Sequence, residues 1–266
     1  MKLTFSCSHC SVEKGKNMAS VPQITTKRPK REYITVDVVD DNIYKFVCGL
    51  GHISIVYVQN LKFEMLFESG INAYFEGFYA ESILTMTASL ERFHEFFIEL
   101  ICLKNGIKLD AYKKTFQLVS KQSERQLGAF YILYLNTFNK EPIMFPQKKV
   151  EFRNEVIHKG KIPISKDVED YAESVFYYIK DRFNEVRNFV GKDTFSKYLN
   201  LRYEQAVPKL KNLHKEHPTY QAWANPSTML QHSLIGEDFE QRTFADSLSN
   251  AQYWFEKRKN DERNFE

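Results

Sequence analysis

The sequence predicts a mainly α-helical protein with a small β-rich subdomain at its N-terminus. Three observations lead there. Gly and Pro number only 10 and 8 in 266 residues, too few turn formers for a fold of many short strands. Apolar residues from Leu61 to about Asn188 recur at helical spacing. Runs of β-branched and aromatic residues gather before Val58. The chain therefore divides into a β subdomain over residues 1–58, a helical bundle over 59–190 and a partly irregular helical extension over 191–266. Apolar residues make up 43%, and 22 Phe with 15 Tyr supply much buriable area, so a substantial core can form.

In the N-terminal part, Tyr33–Val39, Ile43–Cys48 and Ile53–Val58 read as strands, with turn chemistry at Asp40-Asp41-Asn42. A basic run, Lys27-Arg28-Pro29-Lys30-Arg31, precedes them and suits either an RNA backbone or solvent. Cys7-x-x-Cys10 and Cys48-x-x-x-His52 form two short-loop pairs flanking this strand region. Zinc takes four such ligands in a tetrahedron, and Gly49 and Gly51 let the second pair turn sharply. So small a segment cannot rely on its own core, which gives a metal staple a physical purpose. These residues resemble a zinc ribbon. They imply one structural zinc per chain, held by Cys7, Cys10, Cys48 and His52, and no catalytic metal. His9, inside the first pair, is a possible substitute ligand but is expected to point outward. The plainer reading is four unlinked residues in a β-hairpin.

The helices follow in order. The first begins near Leu61 and runs to about Tyr79. The second, Glu81 to Lys104, buries Leu90, Phe93, Phe97, Leu100 and Ile101, with Asn105-Gly106 as its stop. Asp110 can cap a helical region reaching Asn139, in which Phe130, Tyr131, Leu133, Tyr134 and Leu135 look buried. Pro142 and Pro146 interrupt. A shorter helix runs from about Gln147 to His158-Lys159-Gly160. Ser165 caps a long one whose stripe is Val168, Tyr171, Ala172, Val175, Phe176, Ile179, Phe183, Val186 and Val190. Antiparallel packing of four to five helices is the economical arrangement. Phe195, Tyr198, Leu199, Leu201 and Tyr203 can close the bundle, and the pattern blurs beyond Pro208.

The densest chemistry lies in Glu151-Phe152-Arg153-Asn154-Glu155-Val156-Ile157-His158-Lys159-Gly160. Arg153 offers a permanent planar cation for phosphate oxygens. His158 can exchange a proton near neutral pH. Asn154, one helical turn before His158, shares its face and can orient it. The same residues also fit a helix cap, because His and Lys complement the C-terminal dipole and Gly ends helices. Arg153 could then serve only as an ion-pair partner of Glu151.

Arg153, Asn154 and His158, followed by Gly160, resemble the Arg-x4-His signature of HEPN domains, found in prokaryotic ribonucleases and toxins. The flanking helices agree with that resemblance, which spans about Leu61 to Val190. It implies a HEPN-like antiparallel helical bundle and metal-independent endoribonuclease activity in a homodimer whose two motifs share a cleft. It also implies an upstream acidic residue at the site. Glu91 is the candidate, with Glu95 one turn on as a second. Toxin or antiviral defence is the setting implied, with RNA as substrate and an antitoxin or phage-derived partner as regulator. The family also contains non-catalytic members, so an RNA- or protein-binding sensor or adaptor is the alternative.

Other histidines carry less. His94 reads as a surface residue on an aromatic helix, and His214 and His217 as solvated. Cys102 reads as core rather than nucleophile. No Gly-rich phosphate loop is present, so an ATPase is not expected. A net charge of +3 permits an RNA partner without requiring one. Without a long apolar run or an N-terminal apolar leader core, no membrane partner is expected and the cytoplasm is the expected location.

Overall fold

The computed structural model describes residues 2–7, 9–10, 33–219, 221–231 and 241–263. The expected mainly α architecture with small N-terminal sheets is what it contains. Strand β1 is Lys2–Ser6, β2 Tyr33–Asp37, β3 Ile43–Val47 and β4 Ile53–Val58. Helices α1 (Lys62–Phe75), α2 (Tyr79–Lys104), α3 (Leu109–Phe116), α4 (Ser123–Phe138), α5 (Gln147–Lys159) and α6 (Ser165–Glu216) follow. Strand β5 (Gln221–Ala224) and helix α7 (Phe244–Arg263) complete the described chain. The basic run at 27–31 lies outside the described residues.

Two compact units result, and their borders differ from the sequence division. One comprises residues 1–59 and 199–226; the other comprises 60–198 and 227–266. The stretch 191–266 is therefore not one extension. Its first part ends the helical unit, its middle completes the β unit and its end returns to the helices. Gly191, at φ 79° and ψ 166°, interrupts α6, a conformation open to glycine and costly for other residues. Lys104 donates to the Val190 carbonyl at 3.3 Å, closing the helical stretch before that break.

In the β unit, β1 pairs antiparallel with β2, and a second sheet runs β3-β4-β5. β3 and β4 are antiparallel, whereas β5 joins β4 in parallel, Ile55 opposite Gln221 through Val58 opposite Ala224. Sequence pattern foresaw neither β1 nor β5. Ile43, Ile55 and Tyr57 of the sheet bury against Ala206 and Leu210 of α6, with Tyr203 and Leu213 at the margin. Tyr203 thus belongs to this sheet's cover, not to the helical bundle, whereas Phe195 and Tyr198 are buried among the helices as expected.

In the helical unit, α2 is the central element and packs on α1, α4 and α5. Every residue of the stripes expected on α2 and on α6 through Val190 is buried. Phe63, Phe93, Phe96 and Phe183 interlock there, with Phe63 edge-on to Phe93 at 5.4 Å. On α4 the stripe is narrower: Phe130 and Tyr134 are buried, but Leu135 is exposed because the helix covers α2 with one edge only. The region expected as one helix from Asp110 to Asn139 breaks at 117–122 into α3 and α4. Neither Asp110 nor Ser165 acts as the cap. α3 starts from Lys108, and the Ser165 hydroxyl instead meets Tyr74 at 3.1 Å. The Asp167 carboxylate accepts from the Ile164 amide at 3.1 Å and satisfies that helix start.

Where α1 meets α2 the backbones come close. A Cβ on Gly70 would lie 2.7 Å from Met86 Cγ and 3.2 Å from the Ser82 carbonyl oxygen. The Ser82 hydroxyl donates to the Gly70 carbonyl at 2.7 Å across the same contact. Gly70→Val is expected to lower unfolding free energy by about 1–3 kcal/mol through overpacking, read from urea denaturation midpoints.

His94 is not a surface residue. It is buried against Phe93, Phe130 and Tyr178, with Nε2 3.4 Å from the Tyr178 hydroxyl. The helical period places it inward, a position where a neutral imidazole packs as an aromatic. Burial depresses its pKa to about 3. The unfolded chain therefore binds this proton first. The stability contribution is complete above the unfolded value of about 6.5 and is lost as pH falls toward the folded one. From pH 7 to pH 5, wild type should lose about 2 kcal/mol more stability than His94→Phe, measured by urea unfolding at both values.

Candidate functional site

Two chemically distinct sites emerge, one in each unit. In the β unit, Cys7 follows β1, Cys48 follows β3 and His52 precedes β4. The turn between the last two is built by backbone bonds. Cys48 N–H donates to the His52 carbonyl at 3.0 Å, and Gly51 N–H to the Cys48 carbonyl at 2.8 Å. Gly51 has φ 79°, so the residue type is needed there. Cys10 brings the fourth donor. The ligand atoms of Cys7, Cys10, Cys48 and His52 all lie within 4.8 Å of one another.

The donor set fits a tetrahedral metal such as zinc. Zn–S and Zn–N bonds of about 2.3 and 2.1 Å imply ligand–ligand edges of about 3.6–3.8 Å. Of the six edges, Cys10–Cys48 is 3.9 Å, Cys10–His52 Nδ1 3.4 Å and Cys7–His52 Nδ1 3.9 Å, and all six are within 4.8 Å. No disulfide links these cysteines. Burial opposes ionisation of Cys7, but hydrogen bonds from the Cys10 backbone, Ser54 and the neighbouring thiols hold it at about 7. Burial and the adjacent Cys7 and Cys48 push Cys10 up to about 12. Crowded thiols resist a second negative charge, and a divalent cation at their centre removes that resistance.

His9 does not point outward. Its ring stacks on His52 at 5.1 Å with planes 20° apart, and its Nε2 lies 2.7 Å from the Thr219 hydroxyl. Ser54 donates to Cys7 Sγ at 3.7 Å. Neither Ser54 nor Thr219 carried a sequence signal, because each is a lone hydroxyl whose role arises from distant pairing.

In the helical unit, α5 ends at Lys159 and Gly160 takes the left-handed conformation at φ 70°. Arg153, Asn154 and, on α2, Glu91 are half-buried, while His158 is exposed in the last turn. Arg153 and Glu91 both act electrostatically on the buried phenol of Tyr171 on α6. Burial raises that phenol above its ordinary range; the Thr87 hydrogen bond and the Arg153 guanidinium oppose the rise, and the Glu91 carboxylate adds to it. Tyr171 and Thr87 hydroxyls are 2.8 Å apart, and Thr87 donates to the Ile83 carbonyl at 2.8 Å. Since a hydroxyl has one proton, Tyr171 donates to Thr87 and its oxygen is free to accept from Arg153. Tyr171 was legible only as a core residue.

Neighbours of the motif are basic and partly paired. Lys161 meets Glu155 at 2.8 Å and lies over the Phe152 ring, and Lys149 pairs with Asp170. Glu95, the second acidic candidate, is engaged by Arg92 at 2.6 Å. Beyond Gly160, Ile162 and Ile164 are exposed at 89% and 62%, an apolar edge beside His158 in sequence. Of the remaining histidines, His217 meets Lys45 at 2.8 Å, and His214 has a buried Nε2, so neither is simply solvated. Cys102 is partly buried on α2, and burial raises its thiol. No helix among the described residues is long and apolar enough to cross a membrane.

The chain matches no protein-family model, no curated protein and no solved structure.

Proposed function

We propose that this protein is a HEPN-type endoribonuclease with a structural zinc in its N-terminal unit. The observation that carries this reading is that Arg153 and Glu91 act with opposite signs on the same buried Tyr171 phenol, with His158 exposed further along the same helix as Arg153. An RNA 2′-hydroxyl attacks the adjacent phosphorus. The bond from phosphorus to the 5′-oxygen breaks, leaving a 2′,3′-cyclic phosphate and a 5′-hydroxyl. His158 of one copy takes the proton of the 2′-hydroxyl, and His158 of a second copy gives one to the departing 5′-oxygen. Arg153 balances the added charge on the non-bridging oxygens, Asn154 orients a phosphate oxygen or the histidine, and Glu91 sets the electrostatics of Arg153.

One imidazole cannot act as base and acid in the same turnover, so the reading requires a homodimer. The exposed Ile162 and Ile164 supply apolar area for it. Lys148, Lys149, Lys159 and Lys161 around α5 suit a polyanionic substrate. Toxin or antiviral defence, under an antitoxin or phage-derived regulator, is the setting such a nuclease serves.

The test incubates full-length protein with single-stranded RNA in EDTA, briefly enough that zinc content is unchanged. Cleavage leaving cyclic phosphate ends is expected. Linear 3′-hydroxyl products, or activity that requires added Mg²⁺, would contradict the mechanism. A second reading has its own support: the Arg153 guanidinium is engaged by Tyr171, as it would be in a non-catalytic RNA- or protein-binding adaptor. That adaptor would bind partners equally well with His158 replaced and would cleave nothing.

A further inference from the structure

We propose that His9 and Thr219 are positioning residues that couple the metal cluster to strand β5, so that metal binding and the docking of β5 reinforce each other. This inference is independent of the ribonuclease reading and needs only the cluster of Cys7, Cys10, Cys48 and His52.

The β unit is assembled from two distant stretches, 1–59 and 199–226. The second reaches the sheet through β5, four residues long, paired in parallel on the outer side of β4. So short a parallel edge strand holds weakly by itself. Its end is held by the Gln59 amide, which donates to the Ala224 carbonyl at 2.9 Å, and Trp223 packs on Tyr203 at 4.5 Å; its start is held by Thr219, two residues before it.

Thr219 is bonded on both sides. Its hydroxyl donates to the Ile53 carbonyl at 2.5 Å, at the first residue of β4 and directly after His52. A hydroxyl has a single proton, so at 2.7 Å it must accept from His9, and His9 carries a proton on Nε2. His9 is the only residue besides Ser8 between the two cysteines of the first pair. Its backbone is therefore held on both sides when Cys7 and Cys10 share one metal. Its ring lies flat on that of His52, the ligand contributed by the second pair. The same ring thus touches one ligand, sits between two others and grips the segment leading into β5. A ligand's outer contacts fix its orientation and tune metal affinity. Here the outer contact spans 210 residues of chain.

By thermodynamic reciprocity, if metal steadies β5, then the β5 anchor must raise metal affinity by the same factor. Two measurements on the full chain use zinc itself as the probe. The first is hydrogen–deuterium exchange of amides 221–224 in the zinc-loaded proteins, with zinc content verified. The second is zinc affinity by competition with a chromophoric chelator. Thr219→Val removes the hydroxyl at nearly constant shape, and His9→Phe keeps a flat ring on His52 while removing its donor. Each variant should exchange about 3–10-fold faster at 221–224 and bind zinc about 3–10-fold more weakly, the scale of one lost hydrogen bond. Exchange in β3 should stay unchanged. Unaltered exchange at 221–224 would overturn the proposal. So would faster exchange with unaltered zinc affinity, because the anchor would then be uncoupled from the metal. Loss of one ligand's worth of affinity, well beyond tenfold, in His9→Phe alone would make His9 a ligand and overturn its assignment as a positioning residue.

Discussion

His158→Ala is expected to lower RNA cleavage by about 10²–10⁴-fold, the range typical of a lost general acid–base group. Because both copies of a dimer carry the change, base and acid are removed together. The fall should appear in kcat, with KM little altered, since His158 does not anchor the phosphate in this mechanism. His158 is exposed at the end of α5, so urea unfolding should differ little from wild type. That separates it from Arg153→Ala, which also strips the Tyr171 hydroxyl of its cation and would weaken both folding and cleavage. Equal cleavage rates for wild type and His158→Ala would remove this residue from the mechanism. Full partner binding by the variant, with no cleavage by either protein, would favour the adaptor.

Cys48→Ser is expected to reduce zinc from about one per chain to near zero, read by elemental analysis of protein purified without chelator. Three remaining donors cannot close a structural tetrahedron. In small zinc domains the metal supplies apparent folding free energy of about 10–16 kcal/mol. This unit also has its own apolar cluster around Ile43, Ile55, Tyr57, Ala206 and Leu210, so part of its fold can outlast the metal. Even a loss of about 3 kcal/mol shifts the midpoint of a unit this size by about 12–24 °C. The expected record is an early thermal transition confined to residues 1–59 and 199–226, with the helical transition in place. A wild-type protein that contains no zinc, or a Cys48→Ser protein that melts as wild type does, would refute a structural metal.

These two experiments bear on sites of unequal legibility. The metal cluster was readable because short-loop pairs constrain ligands locally: Cys7 with Cys10 and Cys48 with His52 can each reach one ion whatever surrounds them. The helical stripes were readable for the same reason, since 3.6-residue periodicity is a property of neighbouring residues. Arg153, Asn154 and His158 could be placed near a helix end from Gly160 alone. By chemical type His94 reads as a surface residue, whereas its place between Phe93 and Phe97 on α2 puts it on the buried face.

The sequence by itself determined the mainly helical class, the buried faces of α2 and α6, and the four Cys and His residues whose donor atoms gather within 4.8 Å. Tertiary structure alone decided that the chain returns at 199–226 to finish its first unit, that β5 joins β4, that His9 grips Thr219, and that Arg153 and Glu91 act on the Tyr171 phenol. Periodicity and spacing act over a few residues, where geometry is set by the backbone. A strand's partner or a hydroxyl's acceptor is chosen by folding energetics across hundreds of residues, and no local pattern encodes that choice.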